Sequence, residues 1–174
     1  KEMFFEKKIP PFSFPRTGFT EAIPGGYVKP PQVGKHGWVA SFDLNSLYPH
    51  LIMQYNISPE TIMDKLQVWP DISEEKRMRD FLHGKSFKSQ GDFAVAASGW
   101  MFKKDFEGII PRVMRKLYDE RKQIQGVMKK KQKEGGDITK LHLAQYVRKI
   151  LLNSGYGAIT NKYYRWFDPR LGSS

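Results

Sequence analysis

Cysteine is missing from all 174 residues. Its absence excludes a disulfide framework and any thiolate-bound zinc or iron–sulfur centre. It says little about compartment. Long hydrophobic runs are missing too. No stretch of about 18 apolar residues occurs, so no membrane span is expected. Lys1 to Pro15 lacks an initiator Met and the apolar core of a signal peptide, so the chain reads as cut from something longer and not secreted. The histidines (His36, His50, His83 and His142) show no metal-ligand spacing. No internal repeat and no low-complexity tract is found. Acidic residues are comparatively few, 18 against 29 basic ones, which leaves a net charge of +11 and a pI near 9.7.

That imbalance points to a polyanionic partner, most often nucleic acid. The charge is clustered. Between Arg112 and Lys149 stand 12 Lys/Arg and 4 Asp/Glu, which is +8 of the +11. Aromatics reach 14%, and nucleic-acid sites use aromatic faces for stacking. The length suits one domain with room for a subdomain.

Lys1 to Pro31 is rich in Pro, Gly and Phe. Pro10-Pro11, Pro24-Gly25-Gly26 and Pro30-Pro31 mark irregular loop. Gly37 to Asp43 alternates and carries Trp38, Val39 and Phe42, so a strand is expected. Pro49 suits a first helical position, with Leu51, Ile52 and Tyr55 as the buried stripe. Ile57 to Met63 reads as a short connection with a strand. The spacing over Asp71 to Leu82 predicts a surface helix. Phe93 to Ala97 and Trp100 to Lys103 flank Ser98-Gly99, which predicts a hairpin.

After Gly108 the period changes. Pro111 opens a helix to about Lys133, and Gly135-Gly136 ends it. Asp137 can cap a second helix, from Ile138 to about Tyr156. So short a loop makes the two helices antiparallel. Leu141, Ala144, Val147 and Leu151 are expected to pack on the first helix. Lys129-Lys130-Lys131 is the one charge run, expected to be a solvated helix end. Asn161 to Asp168 is aromatic and reads as strand.

On the second helix Lys149, Asn153 and Tyr156 fall at i, i+4 and i+7, which places them on one face. A Lys, an amide and a phenol make a poor core face. They suit a phosphorylated ligand with a ring: Lys supplies a point charge, Tyr a flat surface. Arg121 faces outward amid Arg115, Lys122 and Gln125 in this reading, and can converge with Lys149 on one anion. Spacing alone also allows ordinary helix-surface residues. The glycines of Asn153-Ser154-Gly155-Tyr156-Gly157 allow close backbone approach.

Upstream, Asp43 ends the expected strand and precedes Leu44-Asn45-Ser46-Leu47-Tyr48-Pro49. Such an acid is either a turn residue or a Mg²⁺ ligand. Mg²⁺ is usually held by one or two carboxylates plus substrate phosphates. Amides of Ser46 and Leu47, where the helix starts, can bind phosphate oxygens. Tyr48 would then lie beside the sugar.

These two stretches resemble family B DNA polymerases, nearest to those of tailed phages, over nearly the whole chain. Asp43 to Pro49 is similar to motif A of the family, Asp-x-x-Ser-Leu-Tyr-Pro. Lys149 to Gly157 is similar to motif B, Lys-x-x-x-Asn-Ser-x-Tyr-Gly. Asn56-Ile57-Ser58-Pro59-Glu60-Thr61 and Gly25-Gly26 with Val28 also resemble the family. The resemblance implies an α+β fold: a partial palm over 1–107, an antiparallel two-helix fingers hairpin over 108–160, and a return into the palm over 161–174. It implies that Asp43, with the carbonyl of Leu44, binds Mg²⁺, two ions serving the intact enzyme. Ser46 and Leu47 amides would hold the triphosphate, Tyr48 would gate against a ribose 2′-hydroxyl, and Arg121, Lys149 and Asn153 would grip the triphosphate. Tyr156 and Gly157 would lie against the nascent base pair. Implied partners are primer-template DNA, a dNTP and a sliding clamp, in the cytoplasm of a phage's bacterial host.

Three positions depart from the pattern. Gln125 stands where related phage enzymes place a second Lys. His50 replaces a small residue after Tyr-Pro, and Gly155 replaces a bulkier one in motif B. The second catalytic acid (Asp-Thr-Asp in the family), the thumb and the exonuclease are not in this sequence, so these residues alone are expected to be inactive. Two other readings stand beside this one: a non-catalytic nucleic-acid-binding module built on the basic hairpin, and a helix hairpin for protein contact.

Overall fold

The computed structural model describes residues 28–66, 76, 79–80, 83–84, 91–164 and 167–174. Its elements are helix α1 (Leu47–Tyr55), strands β1 (Ile62–Lys65), β2 (Phe93–Val95) and β3 (Trp100–Lys103), the long helices α2 (Ile109–Lys133) and α3 (Thr139–Thr160), and a short helix α4 (Pro169–Gly172). The α+β expectation holds. The strands form one antiparallel sheet in the order β1-β3-β2. Phe102 of β3 lies opposite both Ile62 and Ala94 and is fully buried. The expected hairpin is β2–β3, closed by Gly99 N–H donating to Ala96 O at 2.9 Å.

Why α2 starts where it does is a question of donors. A helix leaves its first four N–H groups without internal partners. Here the Asn56–Thr61 loop supplies acceptors. Gly108 N–H donates to Asn56 Oδ1 at 2.8 Å, Ile109 N–H to Glu60 Oε1 at 2.6 Å, and Ile110 N–H to Ser58 Oγ at 3.4 Å. Pro111 has no N–H to satisfy. Asn56 Nδ2 meanwhile donates to the carbonyls of Lys103 and Phe106, at 2.6 and 2.8 Å. One amide thus ties the end of α1, where Asn56 itself caps in the left-handed region, to the exit of β3 and the start of α2. Gly108 is required there: a Cβ would lie 2.6 Å from Ser58 Cβ.

The other end of α2 closes as Gly135-Gly136 suggests. Gly135 sits at φ 72°, its N–H donates to Gln132 O, and Gly136 N–H donates to Lys131 O. That is the paired-bond pattern of a glycine helix stop. Asp137 Oδ1 accepts from both the backbone and the hydroxyl of Thr139, so it turns the chain into α3. α3 runs to Thr160, past the expected end at Tyr156.

The core lies at the hairpin base. Ile52 and Ile57 meet Ala96, Phe102, Ile110, Met114, Leu152, Ile159 and Leu171. In α2 the buried residues are Ile109, Ile110, Pro111 and Met114, all in its first two turns. The distal helices therefore pack chiefly on one another and project about 1.5 Å per residue from the base.

Several expectations need correction. Gly37 to Asp43 is not a strand; Trp38 and Phe42 are 105% and 93% exposed. Alternating residues make a strand only with a ladder partner, and no described strand pairs with this segment. Asn161 to Asp168 is likewise not a strand in its described residues. Local bonds occupy it: Tyr164 N–H to Asn161 O, Phe167 N–H to Tyr164 O, and Asp168 capping α4. The stripe of α3 toward α2 holds in part: Leu141 and Ala144 are half-buried, and Leu151 lines a groove with Ile110, Val113 and Met114 of α2. Gln145, Leu152 and Ile159 are buried, while Val147 and Leu151 are about half exposed. Pro49 takes the third helical position, still among the positions whose N–H needs no helical acceptor. Of the α1 stripe, Ile52 is buried and Leu51 and Tyr55 are half-buried. The Asp71–Leu82 helix, Gly25-Gly26 and the first two proline loops lie wholly or mostly outside the described residues; Val28 is exposed and Pro30-Pro31 is irregular.

Removing the Asn56 side chain strands one donor at the start of α2 and two acceptors, one at the end of β3 and one in the loop that follows. Asn56→Ala is expected to lower the unfolding free energy by about 2–4 kcal/mol in a urea titration. A loss below about 0.5 kcal/mol would show that the cap does not hold the hairpin.

Candidate functional site

The site begins at the N-terminus of α1. Ser46 sits in the left-handed region at φ 55° and ψ 46°, with no side-chain cap and no acid in the first turn. A non-glycine residue there carries backbone strain, a feature that clusters at functional sites. The first amides of α1 therefore have no side-chain cap at the positive end of the helix dipole. Ser46 O is already taken: it accepts from His50 N–H at 3.1 Å and from His50 Nδ1 at 2.9 Å. The His50 ring then meets Tyr118 of α2 edge-on, with centroids 4.8 Å apart. His50, which departs from the family pattern, is thus a strut between α1 and α2.

Tyr48 stacks on Tyr156 of α3, with centroids 4.5 Å apart and planes 16° from parallel. Two residues far apart in sequence, one from each motif, meet face to face. Tyr156 O–H donates to Gly172 O of α4 at 3.1 Å, which fixes its ring. α4 is held in turn by Asp168, whose carboxylate accepts from Arg170 N–H, Nε and Nη2. Burial pushes the Tyr156 phenol above its ordinary value, and nearby Tyr48 adds to the effect.

From Tyr156 the stripe runs back along α3 through Asn153 and Lys149, both exposed, to Gln145, which is buried. Lys149 to Tyr156 spans roughly 10 Å of helix. Arg121 does not face outward as expected. It is half-buried in the α2–α3 seam, and its Nε donates to Gln145 Oε1 at 3.4 Å. That places it against α3 one turn before Lys149. Beside it Arg148 Nε pairs with Glu120 Oε2 at 2.7 Å. No carboxylate among the described residues pairs with Arg121 or Lys149, so both charges stay available to an anion.

The two glycines of the second motif differ. A Cβ on Gly155 would fall 1.9 Å from Met114 Cε, so Met114 fills the space of the bulkier residue. Nothing lies within 4 Å of where a Gly157 Cβ would be, which leaves that surface open.

Asp43 and Leu44 lie on the exposed segment before α1, and no hydrogen bond or ion pair among the described residues ties Asp43 to the hairpin. No cluster of three or more acidic, His or Cys side chains that could hold a metal occurs among the described residues. Asp43 therefore fits one share of a phosphate-bound cation shell, not a whole cage. Two features lie beyond the sequence analysis: Gln145, whose only local signal is its place one turn before Lys149, and the cap by Asn56, Ser58 and Glu60, whose motif is visible in the sequence without a role.

Residues 9–167 match the pattern of DNA polymerase family B. The DNA-directed DNA polymerase of Escherichia phage RB69 is 28% identical over 200 residues, covering 86% of this chain and 21% of the relative. DNA polymerase 1 of Pyrococcus abyssi is 33% identical over 158 residues, covering 88% and 17%. The chain thus spans about a fifth of the length of the curated relatives it matches. The structure of the family B DNA polymerase from Pyrobaculum calidifontis superposes with a TM-score of 0.52 at 22% identity, over 73% of this chain and 14% of that one, a likeness of fold. No described helix is long and apolar enough to cross a membrane.

The Tyr156 environment has a pH consequence. A phenol whose folded pKa is raised favours the neutral form in the folded state. Its contribution is complete below the ordinary tyrosine range near 10 and is lost as pH rises through the raised value. Tyrosinate absorbance should include a late-titrating phenol that Tyr156→Phe removes. An unchanged late phase in that variant would place the ring in water instead.

Proposed function

Because the chain belongs to DNA polymerase family B, we propose that it forms the dNTP-binding part of a DNA-directed DNA polymerase. Residues 1–107 are the partial palm, 108–160 the fingers hairpin and 161–174 the return to the palm. The observation that carries the reading is the Tyr48–Tyr156 stack, which joins the two family motifs at one place.

In this reading the triphosphate lies between α1 and the hairpin. Arg121 and Lys149 neutralise its charge, Asn153 donates or accepts at its edge, and the Ser46 and Leu47 amides bind its oxygens. Tyr48 takes the floor under the sugar and excludes a 2′-hydroxyl by contact. Tyr156 and Gly157 bound the nascent base pair. Asp43, with the Leu44 carbonyl, offers the protein ligands for Mg²⁺. When bound, two such ions in the complete enzyme would supply charge stabilisation as the primer 3′-hydroxyl oxygen bonds to the α-phosphorus and the bond to the leaving pyrophosphate breaks. A second carboxylate belongs to the rest of that enzyme, so these residues alone do not catalyse. Primer-template DNA is the polyanion for the basic hairpin, and a sliding clamp is a further partner in the cytoplasm of a phage's bacterial host. A second reading, a non-catalytic nucleic-acid-binding module, draws on the charge of the hairpin alone.

In the complete polymerase, Asp43→Ala is expected to reduce primer extension by at least about a thousandfold, whereas the binding-module reading predicts no loss. The 174 residues alone should give no metal-dependent extension. Tyr48→Ala should retain synthesis but incorporate ribonucleotides more readily. Unchanged dNTP-to-rNTP discrimination would remove Tyr48 from the gate.

A further inference from the structure

Gln145 is the buried polar residue of the α2–α3 seam, 9% exposed. Its stripe faces α2, where an unsatisfied amide is costly and an apolar side chain would be cheaper. Its side-chain bond is to Arg121, whose Nε donates to Gln145 Oε1. The neighbouring acid, Glu120, is already engaged by Arg148.

We infer that Gln145 is a positioning residue for nucleotide binding: it holds the Arg121 guanidinium by its Nε edge and leaves the terminal N–H groups free for the triphosphate. The inference rests on the reading of Arg121 as a triphosphate ligand. A guanidinium carries five N–H donors in a fixed plane, so one bond at Nε sets the direction of the others. An uncharged acceptor suits this task. A carboxylate at 145 would pair with Arg121 and compete with phosphate. An apolar residue would leave a long, rotamer-rich side chain to be ordered by the ligand. Gln145 also lies one turn from Lys149, so both cations take their position from the same stretch of α3.

The test compares Gln145→Met, Gln145→Glu, Arg121→Ala and the Gln145→Met/Arg121→Ala pair in the complete polymerase. Gln145→Met removes the acceptor and keeps the volume. It should raise KM for dNTP about tenfold while kcat falls less than about threefold, with no drop in Tm. Gln145→Glu keeps an acceptor yet should also raise KM, because its charge competes. The double variant should be no worse than Arg121→Ala alone, since both changes remove one function. A lowered Tm with unchanged KM in Gln145→Met would make the residue merely structural and overturn the inference. Multiplying effects in the double variant would overturn it too, because Gln145 would then act without Arg121. If Arg121→Ala itself leaves KM unchanged, the nucleotide reading of Arg121 fails first and the inference falls with it.

Discussion

The amide of Asn56 is the constraint on which the rest depends. It accepts from Gly108 and donates to Lys103 and Phe106, so helix α1, strand β3 and helix α2 share one buried group. Glu60 and Ser58 complete the cap by taking the next two amides. Unpaired, those donors would each cost more than an average hydrogen bond gains. Together with the packing of Ile52 and Ile57 on Ile110, Met114, Leu152 and Ile159, the cap fixes the angle between α1 and the hairpin. Directional bonds at the base therefore set where the cations of the distal helices stand.

In the proposed reading α1 is one half of a nucleotide site, and its anchoring supports that role. Its C-terminal end is bound to the hairpin through Asn56, its middle through the His50–Tyr118 contact, and its N-terminal end through the Tyr48–Tyr156 stack. Three contacts along nine residues leave the helix little freedom to shift. The uncapped amides at its start then sit at a defined place relative to Lys149 and Arg121. Electrostatics and packing agree here. The hairpin carries most of the chain's excess charge, and no acid among the described residues neutralises either of those two cations.

The helices of the hairpin and its glycine stop were legible in the sequence because their signals are local: period, Pro111, Gly135-Gly136 and Asp137. The β2–β3 hairpin was legible for the same reason. The Gly37–Asp43 strand was not, because alternation describes a face and says nothing about a partner, and the described residues supply none. Asn161 to Asp168 misled through its aromatic content, which local turn bonds outweigh. In the site, the Lys149, Asn153 and Tyr156 stripe followed from helical spacing. Arg121 was placed outside the seam because nothing local shows that Gln145 is buried: an amide inside a helix pair reads as a surface residue until its partner is known. The departures at His50 and Gly155 make sense only in three dimensions, through Tyr118 and Met114.

The central claim is that α1 and the hairpin close on one triphosphate. A crystal structure of the complete polymerase with primer-template and an incoming dNTP tests it most directly. The account predicts phosphate oxygens within hydrogen-bonding distance of Arg121, Lys149 and the amides at the start of α1, with the sugar over Tyr48. A triphosphate bound away from either the hairpin or α1 would contradict it.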